Sequence, residues 1–405
     1  MAIDFSLEDQ PYNAPDLNTV DDNDEDQPIA ILASRPVLAF GGAALSTVYN
    51  TQAHLDSSTP LRTVRLALRS GISMFDTSPY YGNSEIVLGS LLRQLAAEHP
   101  RSSYQLVRAD RASSKCGRYG LPKTDFDYSP AAIRNSLKRT LRRLGTDYLD
   151  VFYLHDVEFV ATRLPGELSS NSAAALADEN ARKGWGISEG EEANVLGDGD
   201  QVVLTAYGEL RKLKSEGLVR SIGITGYPLP VLLRLALLIK AHFGEPVESI
   251  MTYSHYNLQN ISLTQFIGEF AQRAGVTTIY SASPLNMGLL GPNPPPWHFA
   301  PPGMFAARDK AVDVIESAKW PGGFANLATG FAFTTSNAVD GRLPSDITTV
   351  VGLSSMEEVR KAVEVWKEVN AEGGDNVSRI ALEAQVRDCF VSAGWADWSW
   401  ESGRD

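Results

Sequence analysis

The stretch GISMFDTSPYYGNSE, residues 71–85, decides the fold of this chain. It begins as a buried strand, because Ile72, Met74 and Phe75 form a short apolar run. The run stops at an acidic residue, Asp76, and continues as a turn-rich loop that contains two consecutive tyrosines. A carboxylate and a phenol therefore stand close together where a strand ends.

Short apolar runs of this kind alternate with amphipathic helical segments from about residue 36 onward. Such alternation indicates a parallel sheet, and a weakly marked strand at Phe40-Gly41 brings the count to about eight strand–helix units. We therefore predict an α/β fold, a (β/α)8 TIM barrel. No G-x-G-x-x-G follows the first strand, which argues against a doubly wound dinucleotide-binding sheet. The other predicted strands are residues 74–77, 104–110, 148–155, 219–225, 249–254, 277–283 and 348–353.

The predicted domain organisation is a tail followed by one barrel. Residues 1–34 are acidic and are expected to form a disordered tail, whereas residues 35–405 form a single barrel domain. Residues 160–200 are rich in Ser, Ala, Gly and acids, so we expect an insertion after the fourth strand, either a partly disordered surface loop or a lid. The Pro-rich residues 291–303 form a second long loop.

Composition excludes several classes of partner. The 405-residue chain has a net charge of −13 and no basic patch, which argues against nucleic acid or an anionic membrane surface. It has no apolar run of about 18 residues and no signal-like N-terminus. The only cysteines, Cys116 and Cys389, make neither a disulfide framework nor a zinc motif. We expect no metal and a cytoplasmic location.

Four polar side chains are predicted to meet at the barrel mouth, because the chemistry of α/β barrels lies at the carboxyl ends of the strands. Asp76 ends one strand with Tyr81 in its loop, Lys115 lies in or just after the next, and His155 ends the fourth. A nearby ammonium is expected to lower the pKa of a phenol, a carboxylate orients the ammonium, and a neutral imidazole bonds a substrate oxygen. Taken singly each residue has an ordinary structural reading, but their order favours proton transfer at a carbonyl or alcohol oxygen beside a hydride transfer.

With these residues in place, the chain resembles the aldo-keto reductase superfamily over nearly all of residues 36–370. The matching segments are FDTSPYYGNSE, the lysine, YLHD, SIGIT-G, SPLNMGLL and VVGLSSMEEV. SHYNLQN and ASPLNMGLL look most like the sugar dehydrogenases that act on D-arabinose or L-galactose. The resemblance implies that Tyr81 is the acid/base, that Lys115 and Asp76 tune it, and that His155 orients the substrate.

The resemblance also implies a nicotinamide cofactor extended across the barrel mouth. Ala282 stands where many members stack an aromatic ring on the nicotinamide, which leaves Tyr280 or Tyr253 as alternatives. The implied cofactor-binding residues, from the nicotinamide to the adenosine end, are Gly41, Gly42, Ala43, Thr225, Gly226, Tyr253, Ser283, Leu285, Gly288, Gly352, Ser354, Ser355, Glu358 and Val359.

The adenosine end predicts NAD rather than NADP. Members that prefer NADP carry basic residues where this chain has Gly352 and Glu358, and an acid would repel a 2′-phosphate. Arg360 and Lys361 lie near enough in sequence to leave NADP as an alternative.

The expected function is that of an NAD(P)-dependent aldose 1-dehydrogenase, which oxidises C1 of a sugar of the D-arabinose or L-galactose type to the lactone. An NADPH-dependent reductase of small aldehydes and a non-catalytic, cofactor-sensing subunit are the alternatives. The expected partner is a small-molecule aldose or lactone, and we expect a monomer or a weak homo-oligomer.

Overall fold

The structure is a computed structural model that describes residues 26–28, 32, 38–101, 112–164, 171–334, 347–370 and 376–402. Its centre is a closed barrel of eight parallel strands in which each strand pairs with its neighbours in chain order. This confirms the predicted (β/α)8 barrel. The strands are β1 Leu38–Gly41, β2 Phe75–Asp76, β3 Ala112–Cys116, β4 Leu149–Leu154, β5 Val219–Thr225, β6 Ser249–Tyr253, β7 Thr278–Ala282 and β8 Thr348–Gly352.

Helices surround the barrel and cover its outer surface. In the part of the chain that the structure describes, no helix has both the length and the apolar character needed to cross a membrane. The helices are α1 Gln52–Leu55, α2 Thr59–Arg69, α3 Ser84–Gln94, α4 Pro130–Leu144, α5 Glu179–Gly184, α6 Asp198–Ser215, α7 Leu229–Phe243, α8 Leu263–Gly268, α9 Pro302–Ser317, α10 Gly323–Phe333, α11 Met356–Asn370 and α12 Val377–Ser392.

Helix α4 shows how local sequence sets these boundaries. The Ser129 hydroxyl accepts a hydrogen bond from the Ala132 N–H, and Pro130 takes the first helical position. The helix ends at Gly145, whose φ of 69° is the left-handed conformation that glycine adopts without strain. Both boundaries thus follow from residues that typically begin and end helices.

The barrel interior is a small core of its own, separate from the larger core between strands and helices. It contains Met74, Val151, Tyr153, Met251 and Tyr280, each at most 5% exposed. The Tyr153 ring fills the space beside Gly223 of β5, where a Cβ would lie 2.7 Å from a ring carbon of the tyrosine. A packed interior of this kind closes the barrel below its mouth.

The third strand lies later in the chain than predicted. The apolar run at residues 104–110, which predicts this strand, lies outside the described residues, whereas β3 is Ala112–Cys116. Lys115 pairs in register with Tyr153 of β4 and is therefore inside the strand. The sequence of β3, ASSKC, contains no apolar run that would predict a strand. Its Lys115 is nevertheless buried, because it pairs with a carboxylate rather than with hydrocarbon.

The insertion is more ordered than a solvated loop. Of residues 160–200, the described part contains α5 and a 3₁₀ helix, Ser172–Leu176, and buries Trp185 and Ile187. Asp200 accepts a hydrogen bond from Arg234 of α7 at 2.7 Å, and neither side chain is exposed. The insertion is thereby attached to the helical layer.

Part of the predicted tail is also packed. Asp26 is 1% exposed and accepts two hydrogen bonds from Arg62 of α2, at 2.9 and 3.1 Å. The Leu32 N–H donates to the Ser70 carbonyl at 2.8 Å. At these residues the structure differs from the expected disorder; the remainder of residues 1–34 lies outside the described residues.

Candidate active site

A buried ion pair forms the base of the barrel mouth. The Lys115 ammonium of β3 donates to both oxygens of Asp76 at the end of β2, at 2.8 and 2.7 Å. It also lies 3.2 Å from the Thr77 carbonyl and 3.3 Å from the Tyr81 hydroxyl. Because neighbouring parallel strands end at the same edge, residues distant in sequence come within bonding reach.

Tyr81 keeps its proton in this environment. Burial raises the pKa of Tyr81 well above its ordinary value of 10.0, and the carboxylates of Asp76 and Asp156 raise it further. The expected lowering of this pKa by Lys115 is therefore wrong for the structure described here. The physical reason is that removal from water disfavours the phenolate more than the ammonium, which is paired with Asp76, favours it.

His155 is a neutral ring beside Tyr81. Burial lowers the pKa of His155 to about 3, against the opposing effect of Asp156. Its Nδ1 lies 3.0 Å from the Ser78 hydroxyl, which itself accepts from the Tyr80 N–H. When that hydroxyl donates its proton to Nδ1, the ring proton of neutral His155 is on Nε2. The ring centroids of His155 and Tyr81 are 5.9 Å apart, edge to face.

A second buried ion pair, which the sequence analysis missed, borders the mouth. Arg118 follows β3 and donates to Asp156, which directly follows His155. Burial alone would raise the pKa of Asp156, but the charge and the hydrogen bond of the Arg118 guanidinium lower it. Arg118 also lies over the Tyr80 ring, 3.8 Å from its centroid. The only sequence signal was the position of both residues just beyond strand ends.

The C-terminal segment, residues 395–402, also reaches the mouth and was not predicted to do so. Trp400 stacks on Tyr227 after β5, with ring centroids 4.1 Å apart and planes at 13°. Its ring centroid lies 6.2 Å from that of Tyr253 at the end of β6, and 5.6 Å from that of Phe299 in the Pro-rich loop. The described mouth thus has a charged side at β2–β4 and an aromatic side at β5–β6.

The residues expected near the nicotinamide lie at the ends of β1, β5 and β6. Gly41 pairs with Gly352 of β8, and a Cβ on Gly42 would lie 2.7 Å from the Asp76 carbonyl, so a side chain is excluded there. Ala43 follows in a 3₁₀ turn, Gly42–Leu45. Thr225 accepts a hydrogen bond from the Asp156 N–H at 3.2 Å.

The two aromatic alternatives for stacking lie in different places. Tyr280 is 2% exposed and belongs to the barrel interior, with its ring 6.5 Å from that of Tyr153. Tyr253 ends β6 and is half-buried at the mouth, 5.0 Å from the Tyr227 ring. Of the two, Tyr253 is the ring that the mouth can reach.

The loop after β7 makes a tight backbone turn. Ser283 has a φ of 59° and Gly288 a φ of 93°, and a Cβ on Gly288 would lie 2.9 Å from the Pro295 ring. Leu285, between them, is half-buried. The turn brings these residues together at one rim of the barrel.

The residues expected at the adenosine end lie where β8 enters α11. Gly352 is exposed, with no atom within 4 Å of the Cβ it would carry, whereas Val359 is fully buried in the core. The Ser355 hydroxyl accepts from the Glu358 N–H at 3.2 Å, and the Glu358 carboxylate accepts from the Ser354 N–H at 2.5 Å. This reciprocal pattern is a helix N-cap, so Glu358 has a structural partner at the start of α11.

Comparison with known proteins places this geometry in a family. The model of the aldo/keto reductase family matches residues 37–377. The chain is 33% identical to L-galactose dehydrogenase of Arabidopsis thaliana over 86% of its own length and 89% of that protein. It is 31% identical to D-arabinose 1-dehydrogenase of Saccharomyces cerevisiae, over 84% of its length and 86% of that protein.

Solved structures share the fold at low sequence identity. An aldo-keto reductase from Bacillus halodurans superposes with a TM-score of 0.54 at 19% identity, covering 91% of this chain and 95% of that chain. Glycerol dehydrogenase from Gluconobacter oxydans gives a TM-score of 0.53 at 18% identity, covering 92% of this chain and 97% of that one. From its closed barrel, its sequence and its relatives, the chain belongs to the aldo/keto reductase family.

Proposed function

We propose that this protein is an NAD-dependent aldose 1-dehydrogenase that oxidises C1 of a D-arabinose- or L-galactose-type sugar to the lactone. The observation that carries the proposal is the Tyr81 hydroxyl 3.3 Å from a buried Lys115–Asp76 pair at the mouth. The similarity to two sugar dehydrogenases supports the choice of substrate class.

Each of the four residues is proposed to have one task. Tyr81 takes the proton of the C1 hydroxyl as C1 loses hydride and its bond to oxygen becomes a carbonyl. Lys115 stabilises the phenolate that Tyr81 must become before it can accept that proton, and Asp76 fixes the position of Lys115. His155, neutral and protonated at Nε2, donates a hydrogen bond to the same substrate oxygen.

The mouth fits a nicotinamide cofactor, which when bound supplies the hydride acceptor. Thr225 and the half-buried Tyr253 offer a hydroxyl and a ring beside the catalytic cluster. The open surface at Gly352, where a side chain is absent, has room for the adenosine end. The residues with proposed cofactor contacts are those named from the sequence, except that the fully buried Val359 supports α11 instead.

NAD is the proposed cofactor because the start of α11 already holds a carboxylate. Glu358 accepts from the Ser354 N–H, so a 2′-phosphate at this helix end would face a negative charge. Both alternative cations are engaged elsewhere: Lys361 pairs with Glu357, and Arg360 donates to the Gln27 carbonyl at 3.4 Å.

An assay of the purified protein tests the proposal. D-arabinose, L-galactose and L-fucose are each supplied with NAD or NADP, and absorbance at 340 nm is followed. The expected result is reduction of NAD with at least one sugar, at a rate that rises with pH because phenolate becomes more available. No absorbance rise with any sugar and either cofactor would contradict the proposal.

The raised pKa of Tyr81 favours one alternative, the reduction of small aldehydes. A phenol that keeps its proton at neutral pH is prepared to donate it to a carbonyl oxygen. The same protein assayed with methylglyoxal and NADPH or NADH separates the two directions. A higher kcat/KM for aldehyde reduction than for every sugar would replace the first proposal with the second.

A further inference from the structure

A buried carboxyl group joins the end of the C-terminal segment to the aromatic side of the mouth, whereas Gln259 and Asn260 hold the earlier part of the segment through Trp395 and Trp398. Glu158 follows β4 in a 3₁₀ turn, Val157–Phe159, and is 5% exposed. Its Oε1 accepts from the Ser402 hydroxyl at 2.7 Å and from the Tyr227 N–H at 3.0 Å. One oxygen atom therefore joins the loop after β4, the loop after β5 and the C-terminal segment.

The local sequence leaves space for this carboxyl group. A Cβ on Gly226 would lie 2.5 Å from Glu158 Oε2 and 3.3 Å from a methyl group of Leu232, so a larger residue at 226 would displace the glutamate. Within the described residues, Oε2 has no hydrogen-bond partner. The outer oxygen thus faces hydrocarbon, where a neutral carboxyl group costs far less than a carboxylate.

Trp400 lies between these attachments. It stacks on Tyr227, whose backbone N–H donates to Glu158, and stands two residues before Ser402. Its neighbours Tyr253 and Phe299 complete an aromatic wall. Loss of the Ser402–Glu158 bond would release the chain just beyond the tryptophan.

We propose that Glu158 is a positioning residue that holds the end of the C-terminal segment, residues 400–402, and with it Trp400, as a wall of the substrate mouth. The attachment of the segment by Glu158 is inferred from the geometry of the described residues alone. Its kinetic consequence, tighter aldose binding when the segment is held, rests on the proposed function.

The attachment depends on pH. Burial, together with the negative charge of Asp156, raises the pKa of Glu158 to about 8. The ionisable groups around it are Asp156, with its partner Arg118, and the phenols of Tyr128, Tyr227 and Tyr253, while Glu401 adjoins Ser402 on the C-terminal segment.

A released segment lets water reach Glu158 and returns its pKa to about 4.5. Between pH 4.5 and 8 the held form therefore keeps one proton that the released form has lost. The ratio of held to released segment consequently falls by up to about tenfold per pH unit in that range and levels off above it.

Hydrogen–deuterium exchange of the amides of residues 400–402, resolved by fragmentation of the peptide covering residues 395–402, tests the attachment without substrate or cofactor. Rates at pH 6.5 and 9.0 are corrected for intrinsic chemical exchange. In the wild-type protein we expect protection to fall at least tenfold between these pH values. Glu158→Gln, which keeps a neutral acceptor, is expected to stay protected at both, and Glu158→Ala to lose protection at both.

Equal protection in the wild-type protein and both variants at both pH values would overturn the proposal. If Glu158→Ala fails to fold, Ser402→Ala removes the hydroxyl alone and is expected to reduce protection at pH 6.5 at least threefold. Unchanged protection in Ser402→Ala would also count against it.

Steady-state kinetics of a Ser402 variant separate this inference from the proposed function. Ser402→Ala is expected to raise the KM for the aldose several-fold with little change in kcat. An absence of aldose oxidation in the wild-type protein would defeat the proposed function, and the exchange result would still decide the role of Glu158. An unchanged KM in an active Ser402→Ala variant would overturn the assignment of the segment as a wall of the mouth.

Discussion

The Lys115–Asp76 pair in the barrel mouth and the Arg234–Asp200 pair below the insertion are one kind of interaction in two regions. Both have a closest nitrogen–oxygen distance of 2.7 Å. The exposed fractions of the side chains are 2% and 7% in the first pair and 3% and 0% in the second. Burial and charge pairing therefore do not distinguish them.

The two ion pairs differ in their remaining hydrogen-bond partners. Asp200 accepts from the backbone N–H groups of Thr162 and Leu196, and Arg234 donates to the Thr162 carbonyl, so backbone groups surround that pair. Lys115 instead has a titratable phenol, Tyr81, as a further neighbour at the end of a strand. The Arg234–Asp200 pair fixes the shape of the insertion. We propose that the Lys115–Asp76 pair supports proton transfer in the mouth.

Loss of the Lys115 charge gives the largest expected effect. Lys115→Met removes the cation that is paired with the buried Asp76 carboxylate, so the free energy of unfolding should fall by about 3–5 kcal/mol. Sugar oxidation per folded molecule should fall about 10²–10⁴-fold, because the phenolate loses its ammonium. Denaturant unfolding and initial rates measure the two effects.

The double variant Lys115→Met/Asp76→Asn is the control for stability. The second substitution also removes the buried carboxylate charge, so we expect stability to recover while activity stays lost. An activity that recovers together with stability would mean that the pair supports the fold and nothing more.

Loss of the matched pair should affect stability alone. Arg234→Met leaves Asp200 buried without its cation, again at a cost of about 3–5 kcal/mol. Turnover per folded molecule should stay within twofold of the wild-type value, since the surrounding partners are backbone groups of the insertion. A tenfold fall in turnover at a temperature where the variant is folded would break the comparison.

Two buried histidines extend the comparison to pH. Burial lowers the pKa values of both His155 and His255 to about 3. Each binds a proton on unfolding below pH 6.5 but not when folded, so stability should fall as the pH drops from about 6.5 toward 3. Each contributes about 2–3 kcal/mol of this loss between pH 6.5 and 4.5.

Single replacements by glutamine separate the roles of the two rings. His155→Gln and His255→Gln should each reduce the acid dependence of the urea midpoint by a similar amount. Only His155→Gln should lower kcat, because His255 lies between Thr252 and Ser399 and is fully buried. Equal losses of activity in both variants would argue against a substrate contact for His155.

The smallest expected effect concerns a carboxylate that caps a helix rather than pairing with a cation. Glu358→Gln keeps an acceptor for the Ser354 N–H but removes the charge, so stability should change by less than about 1 kcal/mol. The ratio of kcat/KM for NAD to that for NADP should fall about five- to tenfold. An unchanged ratio would remove Glu358 from cofactor selection.

The barrel and the gathering of four polar residues could be predicted from the sequence. Alternating strand and helix patterns are local signals, and parallel strands place their carboxyl ends at one edge, so Asp76, Lys115 and His155 were expected to approach one another. The N-cap at Ser355 and Glu358 also had a local signal, the S-x-x-E spacing, which was read only as a cofactor contact.

Other features depend on contacts that no local pattern reveals. Ser402 meets Glu158 across 244 positions in the chain, and Trp400 stacks on a tyrosine from another strand end. The pKa of Tyr81 depends first on how deeply the phenol is buried, which requires coordinates rather than residue types. The insertion is likewise attached through ion pairs with other helices, such as Arg234–Asp200 and Arg182–Glu269.

Substitution of Tyr81 by phenylalanine tests the proposed chemistry of the mouth most directly. Tyr81→Phe removes one hydroxyl 3.3 Å from Lys115 and leaves the ring in place. We predict a fall in kcat/KM for sugar oxidation of about 10²–10⁴-fold, with an unchanged melting temperature and unchanged NAD affinity by fluorescence titration. A variant that oxidises the sugar within threefold of the wild-type rate would contradict the proposed role of this hydroxyl.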